Sequence, residues 1–131
     1  MGDTKNAKML LNLARQDVAA MLALKDAKDI ADSTFGFHAQ QAVEKALKAW
    51  LSMLDVPYPY THSLEALLGL LEDEVGADKV SQLRDFDLLD PFAIQFRYVP
   101  HDDSEPLDRD GILREVDKLL VHIQKVIDSG Q

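Results

Sequence analysis

The sequence contains no cysteine, which excludes a disulfide framework, a thiolate nucleophile and cysteine-based zinc or iron–sulfur sites. Proline and glycine are scarce, with 5 and 6 residues in 131, so the chain is neither a disordered tail nor a low-complexity linker. No apolar run approaches the roughly 20 residues that cross a bilayer, and the first six residues lack the apolar core of a signal peptide. We therefore expect a single domain over residues 1–131, with no membrane segment, in a reducing, cytoplasmic compartment.

Charge is unevenly distributed along the chain. The 23 acidic and 14 basic residues give a formal net charge of -9, and residues 55–110 hold 14 of the acidic side chains against 4 basic ones. A negative field repels phosphate backbones, so RNA binding would need a local basic patch. Residues 1–54 are nearly neutral, with 7 basic and 6 acidic side chains, so this part of the chain can still offer a positive pocket to a small nucleotide.

Apolar residues recur at steps of three and four along most of the sequence, which is the pattern of amphipathic helices. No alternating strand pattern and no repeat of 20–50 residues is present. Five helical segments are predicted: 4–27, 34–54, 62–75, a fourth over 77–99 and 108–128. The fourth is either continuous or divided into two pieces, 77–88 and 91–99. Proline-containing connectors lie at 55–60 and 100–106. The pattern predicts an all-α fold, a four- to five-helix antiparallel up-and-down bundle.

The stripes also predict which side chains face the core. In the first helix these are Leu10, Leu13, Ala14, Val18, Met21 and Leu22. In the second helix they are Ala39, Ala42, Val43, Ala46, Leu47, Trp50 and Leu51, with Gln40, Glu44 and Lys48 on the opposite side. Trp50 and the neighbouring Phe35 and Phe37 are candidates for the core or an interface. Apolar residues beside the main stripe (Phe35, Phe37 and Met53) predict a homodimer face.

Capping residues mark the expected helix ends. Asp32 or Ser33 is expected to cap the start of the second helix, and Thr61 the start of the third. Asp90 followed by Pro91 is expected to begin the piece over 91–99, and Asp108 or Asp110 the last helix. Gly76 and Gly130 are expected to end the third and last helices.

Common enzyme and metal signatures are missing. There is no Gly-rich phosphate loop, no His-Glu-x-x-His helix and no Gly-x-Ser-x-Gly elbow. The histidines (His38, His62, His101 and His122) stand singly, without helical metal-ligand spacing. We therefore expect no metal site and no cofactor.

Three segments carry a resemblance: FHAQQAVEKALKAWL at 37–51, THSLEALL at 61–68 and AIQFRY at 93–98. In their order and separation they resemble the HEPN domain family, and the Gln-Gln followed by Glu-Lys and a further Lys is the most specific part. The resemblance implies an all-α bundle that is commonly a homodimer and commonly encoded with a small nucleotidyltransferase, in some cases as a toxin–antitoxin pair. Some members were proposed to bind nucleotide or substrate, and others are metal-independent ribonucleases.

The ribonuclease members carry an Arg, four to six residues and then a His, the Arg stabilising charge on the phosphoryl group and the His moving protons. Here only three residues separate Arg97 from His101, and Pro100 should end the helix before the histidine. This departure favours a noncatalytic binding subunit for a nucleotidyltransferase and its nucleotide or substrate. A ribonuclease using Arg97 and His101 is the alternative, and a dimeric scaffold is a third.

The candidate nucleotide- or substrate-binding residues are Arg97, Tyr98, Lys45, Lys48, His62, Gln41 and Glu44. Arg97 and the two lysines would supply positive charge, and Tyr98, Tyr60 or His62 would stack on a base. The structural alternative is that Arg97 pairs with a carboxylate such as Glu44. A buried Gln41 would similarly hydrogen-bond within the bundle.

Overall fold

A computed structural model of the chain describes residues 2–93 and 106–130. The α-helices are α1 (Thr4–Leu24), α2 (Asp32–Met53), α3 (Leu64–Val75), α4 (Ala77–Val80) and α5 (Arg109–Ser129), and a 3₁₀ helix (Ser81–Ala93) follows α4. No strand occurs within these two described segments. The predicted all-α bundle is confirmed.

Helix α2 is the centre of the bundle and packs against α1, α3, α5 and the 3₁₀ helix. Its end lies beside the start of α1, where the Asp3 amide donates to the Ser52 carbonyl at 2.8 Å, so α1 and α2 are antiparallel. The end of α1 lies beside the start of α5, where Arg109 Nη1 donates to the Leu24 carbonyl at 2.7 Å. Because neighbours cover it on several sides, α2 has 16 buried residues among its 22.

The core confirms all seven residues of the predicted stripe of α2 and corrects the stripe of α1. In α1, Leu13 and Leu22 are 37% and 52% exposed rather than buried, and Leu10 is only partly buried. The buried side of α1 instead carries Ala7, Leu11, Ala14, Asp17, Val18 and Met21. Helix α1 packs against both α2 and α5, so its buried stripe faces these two helices.

The predicted dimer-face residues have different positions. Phe35 and Met53 are buried in the core of the chain itself, so the expectation that they form a dimer face is wrong. Trp50 is also a core residue. Phe37 is only partly buried. Packing of α3, α5 and the 3₁₀ helix around α2 uses apolar surface that a two-sided helix would otherwise expose.

Helix ends follow capping chemistry, with two corrections. Ser63 rather than Thr61 caps α3, its Oγ accepting from the Ala66 amide at 3.2 Å. Asp32 lies inside α2 and provides no cap, because its carboxylate accepts from Arg109 instead.

The predicted cap of α5 and the two glycines predicted to end α3 and α5 are confirmed. The Asp108 carboxylate accepts from the Gly111 amide at the start of α5. Positive φ values of 96° at Gly76 and 77° at Gly130 end α3 and α5.

The predicted helix over 77–88 is wrong beyond Val80, where the chain continues as a 3₁₀ helix. Asp90 does not cap a following helix, because its carboxylate accepts from the first amides of α3. Pro91 lies inside the 3₁₀ helix, and the rest of the predicted 91–99 helix falls outside the described residues from 94 onward. Close packing against α2 requires a glycine, since a Cβ on Gly36 would lie 2.6 Å from the Phe92 ring.

The described helices include none that is both long and apolar enough to cross a membrane.

Candidate functional site

A buried carboxylate on α2 organises the candidate site. Glu44 is 4% exposed, and its Oε2 accepts from Lys48 Nζ at 3.1 Å, one helical turn further along. Its Oε1 lies 3.0 Å from His62 Nδ1, in the connection before α3. A buried carboxylate is stable only when it is paired and hydrogen-bonded, and these two groups satisfy that requirement. Glu44 thereby fixes the position of His62, whose side chain is 48% exposed.

Two glutamines complete the network around Glu44. Gln40 is fully buried, and its Nε2 donates to Glu44 Oε1 at 3.2 Å and to the His62 carbonyl at 2.8 Å. Gln41 Nε2 donates to Gln40 Oε1 at 2.7 Å. Gln41 therefore makes the hydrogen bond within the bundle that the structural alternative describes. The Gln40 amide links α2 to the connection that carries His62, so backbone and side chain of His62 are both held.

A second cluster of similar composition joins α1 to α2. Asp17 is 8% exposed, and its two oxygens lie 3.0 Å from His38 Nδ1 and 2.6 Å from Lys45 Nζ. Lys45 and Lys48 are thus each paired with a buried carboxylate. In each cluster the carboxylate charge is balanced by one lysine.

Aromatic residues of the connection between α2 and α3 lie beside the first cluster. Lys48 Nζ lies over the Tyr58 ring, 5.7 Å from the ring centroid, in a cation–π contact. Tyr60 is 96% exposed, and its ring centroid lies 5.8 Å from that of His62 with the planes at 69°. An exposed tyrosine ring therefore lies next to a histidine that a buried carboxylate orients.

The first amides of α3 are occupied by protein groups. The Asp90 carboxylate accepts from the Leu64 amide at 2.7 Å and the Glu65 amide at 3.3 Å, and Ser63 takes the Ala66 amide. Free amides at a helix start commonly bind anions. Because Asp90 occupies this position, the start of α3 offers no such site.

Two adjoining cavities lie elsewhere, between the 3₁₀ helix and α5. Their volumes are about 350 and 560 Å³, and both are lined by Asp85, Phe86, Glu115 and Lys118. None of the residues around Glu44 or Asp17 lines them. The cavities and the polar clusters of α2 are separate features.

Arg97, Tyr98 and His101 lie outside the described residues, so the candidate ribonuclease pair and the predicted pairing of Arg97 with Glu44 stay predictions. Of the candidate binding residues, the structure brings together Gln41, Glu44, Lys48 and His62 in one network and places Lys45 in the neighbouring cluster.

The chain matches the model of the HEPN domain family over residues 7–129, which is nearly its whole length. The chain belongs to the HEPN family. The comparisons with curated proteins and with solved structures gave no match. HEPN domains often dimerise, and the family is associated with nucleotide- or RNA-related functions.

The HEPN match covers three polar residues that the sequence reasoning did not select as site residues: Asp17, His38 and Gln40. Asp17 gave a usable signal, because it lies three residues after Ala14 and four before Met21, at core spacing on α1. An acid at such a position requires a buried partner. Gln40 gave none, because its burial depends on the connection that carries His62.

In the described part of this HEPN chain, no group of three or more His, Cys, Asp or Glu side chains could hold a metal ion.

Proposed function

We propose that the protein is a noncatalytic, nucleotide-binding HEPN subunit that acts with a nucleotidyltransferase partner. The observation that carries the proposal is an exposed Tyr60 ring beside His62. The buried Glu44 holds the His62 side chain in place. An aromatic face that stacks on a base, next to a group that hydrogen-bonds to the ligand, is a common arrangement for binding nucleotides. Because Tyr60 is 96% exposed, its ring is available to a base without any rearrangement of the core.

The charge arrangement supports a small ligand over a long RNA. Lys45 and Lys48 are in ion pairs with Asp17 and Glu44, and their side chains are only 24% and 13% exposed. Binding along an RNA backbone requires several free cationic side chains, each of which neutralises a phosphate. Neither lysine is free in this way, and the net charge of -9 also opposes RNA.

Membership of the HEPN family is the basis of the partner part of the proposal. The resemblance to that family implies that such chains are commonly encoded with a small nucleotidyltransferase and commonly form homodimers. We propose the same arrangement here, a homodimer that presents nucleotide or substrate to the partner enzyme. A fold alone does not define a function, so the partner needs a direct test.

Calorimetry with nucleotides and co-expression with a small nucleotidyltransferase test the proposal. We expect the wild-type protein to bind nucleotide and to be recovered with the partner. Tyr60→Ala should weaken nucleotide binding about tenfold, the loss of one stacked ring. Val121→Ala, which removes an exposed apolar side chain from α5, is the matched control and should leave binding unchanged. Absence of both nucleotide binding and partner recovery would refute the proposal.

A cleavage assay separates the ribonuclease alternative. Purified protein should leave RNA intact in the absence of metal ions. Cleavage that is lost in both Arg97→Ala and His101→Ala would replace the binding subunit with the ribonuclease.

A further inference from the structure

The two ring nitrogens of His62 have different environments. Nδ1 lies 3.0 Å from Glu44 Oε1 and is the donor of that hydrogen bond, because a buried carboxylate can only accept. For Nε2, the described residues provide no hydrogen-bond partner, and 48% of the side chain is exposed. In the imidazolium form both nitrogens donate, so Nε2–H is a donor that no described residue uses and whose position Glu44 sets.

Within residues 2–93 and 106–130, the other positive groups around Glu44 are already used. Lys48 donates to Glu44 Oε2 at 3.1 Å and also lies over the Tyr58 ring. The start of α3, the nearest set of backbone amides, is occupied by the carboxylate of Asp90. Among these groups, His62 is the one that can offer a charged hydrogen bond to an anion. A single imidazolium can form a charge-assisted hydrogen bond to one phosphate group.

The Tyr60 ring lies 5.8 Å from the His62 ring, and the two planes are tilted by 69°. A ligand on both rings must therefore carry a flat group and an anionic group separated by a short spacer. A nucleoside monophosphate has this construction, because one sugar separates its base from its phosphate.

We propose that His62 Nε2–H binds the phosphate of a nucleoside monophosphate whose base stacks on Tyr60, and that Glu44 is the positioning residue for His62. This inference rests on the proposed nucleotide-binding function and adds to it the ligand class and the phosphate-binding atom. The Gln40 amide supports the same geometry from the backbone side, since it donates to both Glu44 and the His62 carbonyl.

Calorimetry with adenosine 5′-monophosphate and with adenosine tests the phosphate contact on the full chain. Wild type should bind the monophosphate about tenfold more tightly than the nucleoside, because one charged hydrogen bond is added. His62→Gln should remove that difference and leave the affinity for adenosine unchanged. His38→Gln is the matched control, because His38 also has Nδ1 3.0 Å from a buried carboxylate, in the other cluster. This control should retain the difference.

The role of Glu44 is tested by imidazole nitrogen NMR. In the wild type, adenosine 5′-monophosphate should shift the Nε2 resonance of His62 and adenosine should not. In Glu44→Gln, the shift should be reduced and the preference for the monophosphate lost, whereas a purely structural residue would lower the melting temperature without changing that preference. If Glu44→Gln fails to fold, the wild-type spectra and His62→Gln still decide the phosphate contact.

The outcomes separate the two proposals. If the wild type binds nucleotides but His62→Gln keeps the full preference for the monophosphate, the phosphate contact is refuted and the proposed function stands. An Nε2 resonance of His62 that the monophosphate leaves unchanged has the same meaning. If the wild type binds no nucleotide at all, the nucleotide-binding part of the proposed function fails together with the phosphate contact.

Discussion

Arg109 and Asp32 form a buried ion pair that connects the starts of α5 and α2. Arg109 Nε donates to Asp32 Oδ1 at 2.9 Å, and the side chains are 13% and 11% exposed. The remaining guanidinium nitrogens donate to the carbonyls of Leu24, Ala27 and Ile30. One arginine therefore pairs with the Asp32 carboxylate and donates to three backbone carbonyls at the end of α1 and in the connection that follows it.

Replacing this arginine should be strongly destabilising. Arg109→Ala removes the guanidinium partner of Asp32 and the donor to three carbonyls, and we expect it to lower the free energy of unfolding by about 3 kcal/mol in urea titrations. The exposed pair of Lys118 with Glu115 provides the control, and Lys118→Ala should change stability by less than about 0.5 kcal/mol. Similar effects of the two substitutions would contradict the buried role of Arg109.

Replacing each of two helical glycines by alanine should change the stability of the protein in opposite directions. At Gly36 a Cβ would lie 2.6 Å from the Phe92 ring, so Gly36→Ala should cost about 1–3 kcal/mol as the 3₁₀ helix is forced away from α2. A Cβ on Gly69 in α3 would have no atom from outside its own stretch of helix within 4 Å. Gly69→Ala should therefore raise the free energy of unfolding by about 0.5–1 kcal/mol through helix propensity. Thermal unfolding of the two variants provides the comparison, and destabilisation at both positions would argue against the open space at Gly69.

His122 should make stability depend on pH. Burial lowers the pKa of His122 below its usual 6.5, and repulsion from Lys125 and then Lys79 adds to that lowering. Its ring lies edge-on to Trp50, with the centroids 4.9 Å apart. Because the unfolded state takes up the proton first, this contribution to stability is complete above about pH 6.5 and is lost as the pH falls below it.

His122→Phe keeps a ring against Trp50 and removes the titration. We expect its free energy of unfolding to fall less steeply than that of wild type below about pH 6.5. Urea titrations at several pH values measure the difference between the two proteins. Parallel curves would show that His122 does not titrate differently in the folded state.

The pair of Asp17 with Lys45 should be coupled more strongly than a surface pair. The two atoms lie 2.6 Å apart with side chains 11% and 24% exposed, and a double-mutant cycle to alanine should give a coupling of about 1–2 kcal/mol. The same cycle on the exposed pair Lys25 and Asp26 should give a much smaller coupling, because solvent screens that pair. A coupling near zero for Asp17 and Lys45 would mean that His38 alone satisfies the carboxylate.

The candidate site was predicted from sequence in part. The block 37–51 singled out Gln41, Glu44, Lys45 and Lys48, and the structure places them on the same helix in two polar clusters. That block could not show that both lysines are paired, because one of the partners, Asp17, lies 28 residues earlier in the chain. Nor could it show that His62 contacts Glu44, since the path of the connection after α2 brings them together.

The sequence alone determined the helices, most of their ends and the family, because apolar spacing, caps and the three resembling blocks are local features. Gln40 and Glu44 were expected on the polar side of α2, and only the tertiary structure decided that they are buried. Four elements, α1, α3, α5 and the 3₁₀ helix, pack around α2, so the polar side of α2 is buried as well as its apolar side. Buried there, Glu44 must find partners, and that requirement fixes His62 beside the exposed ring of Tyr60.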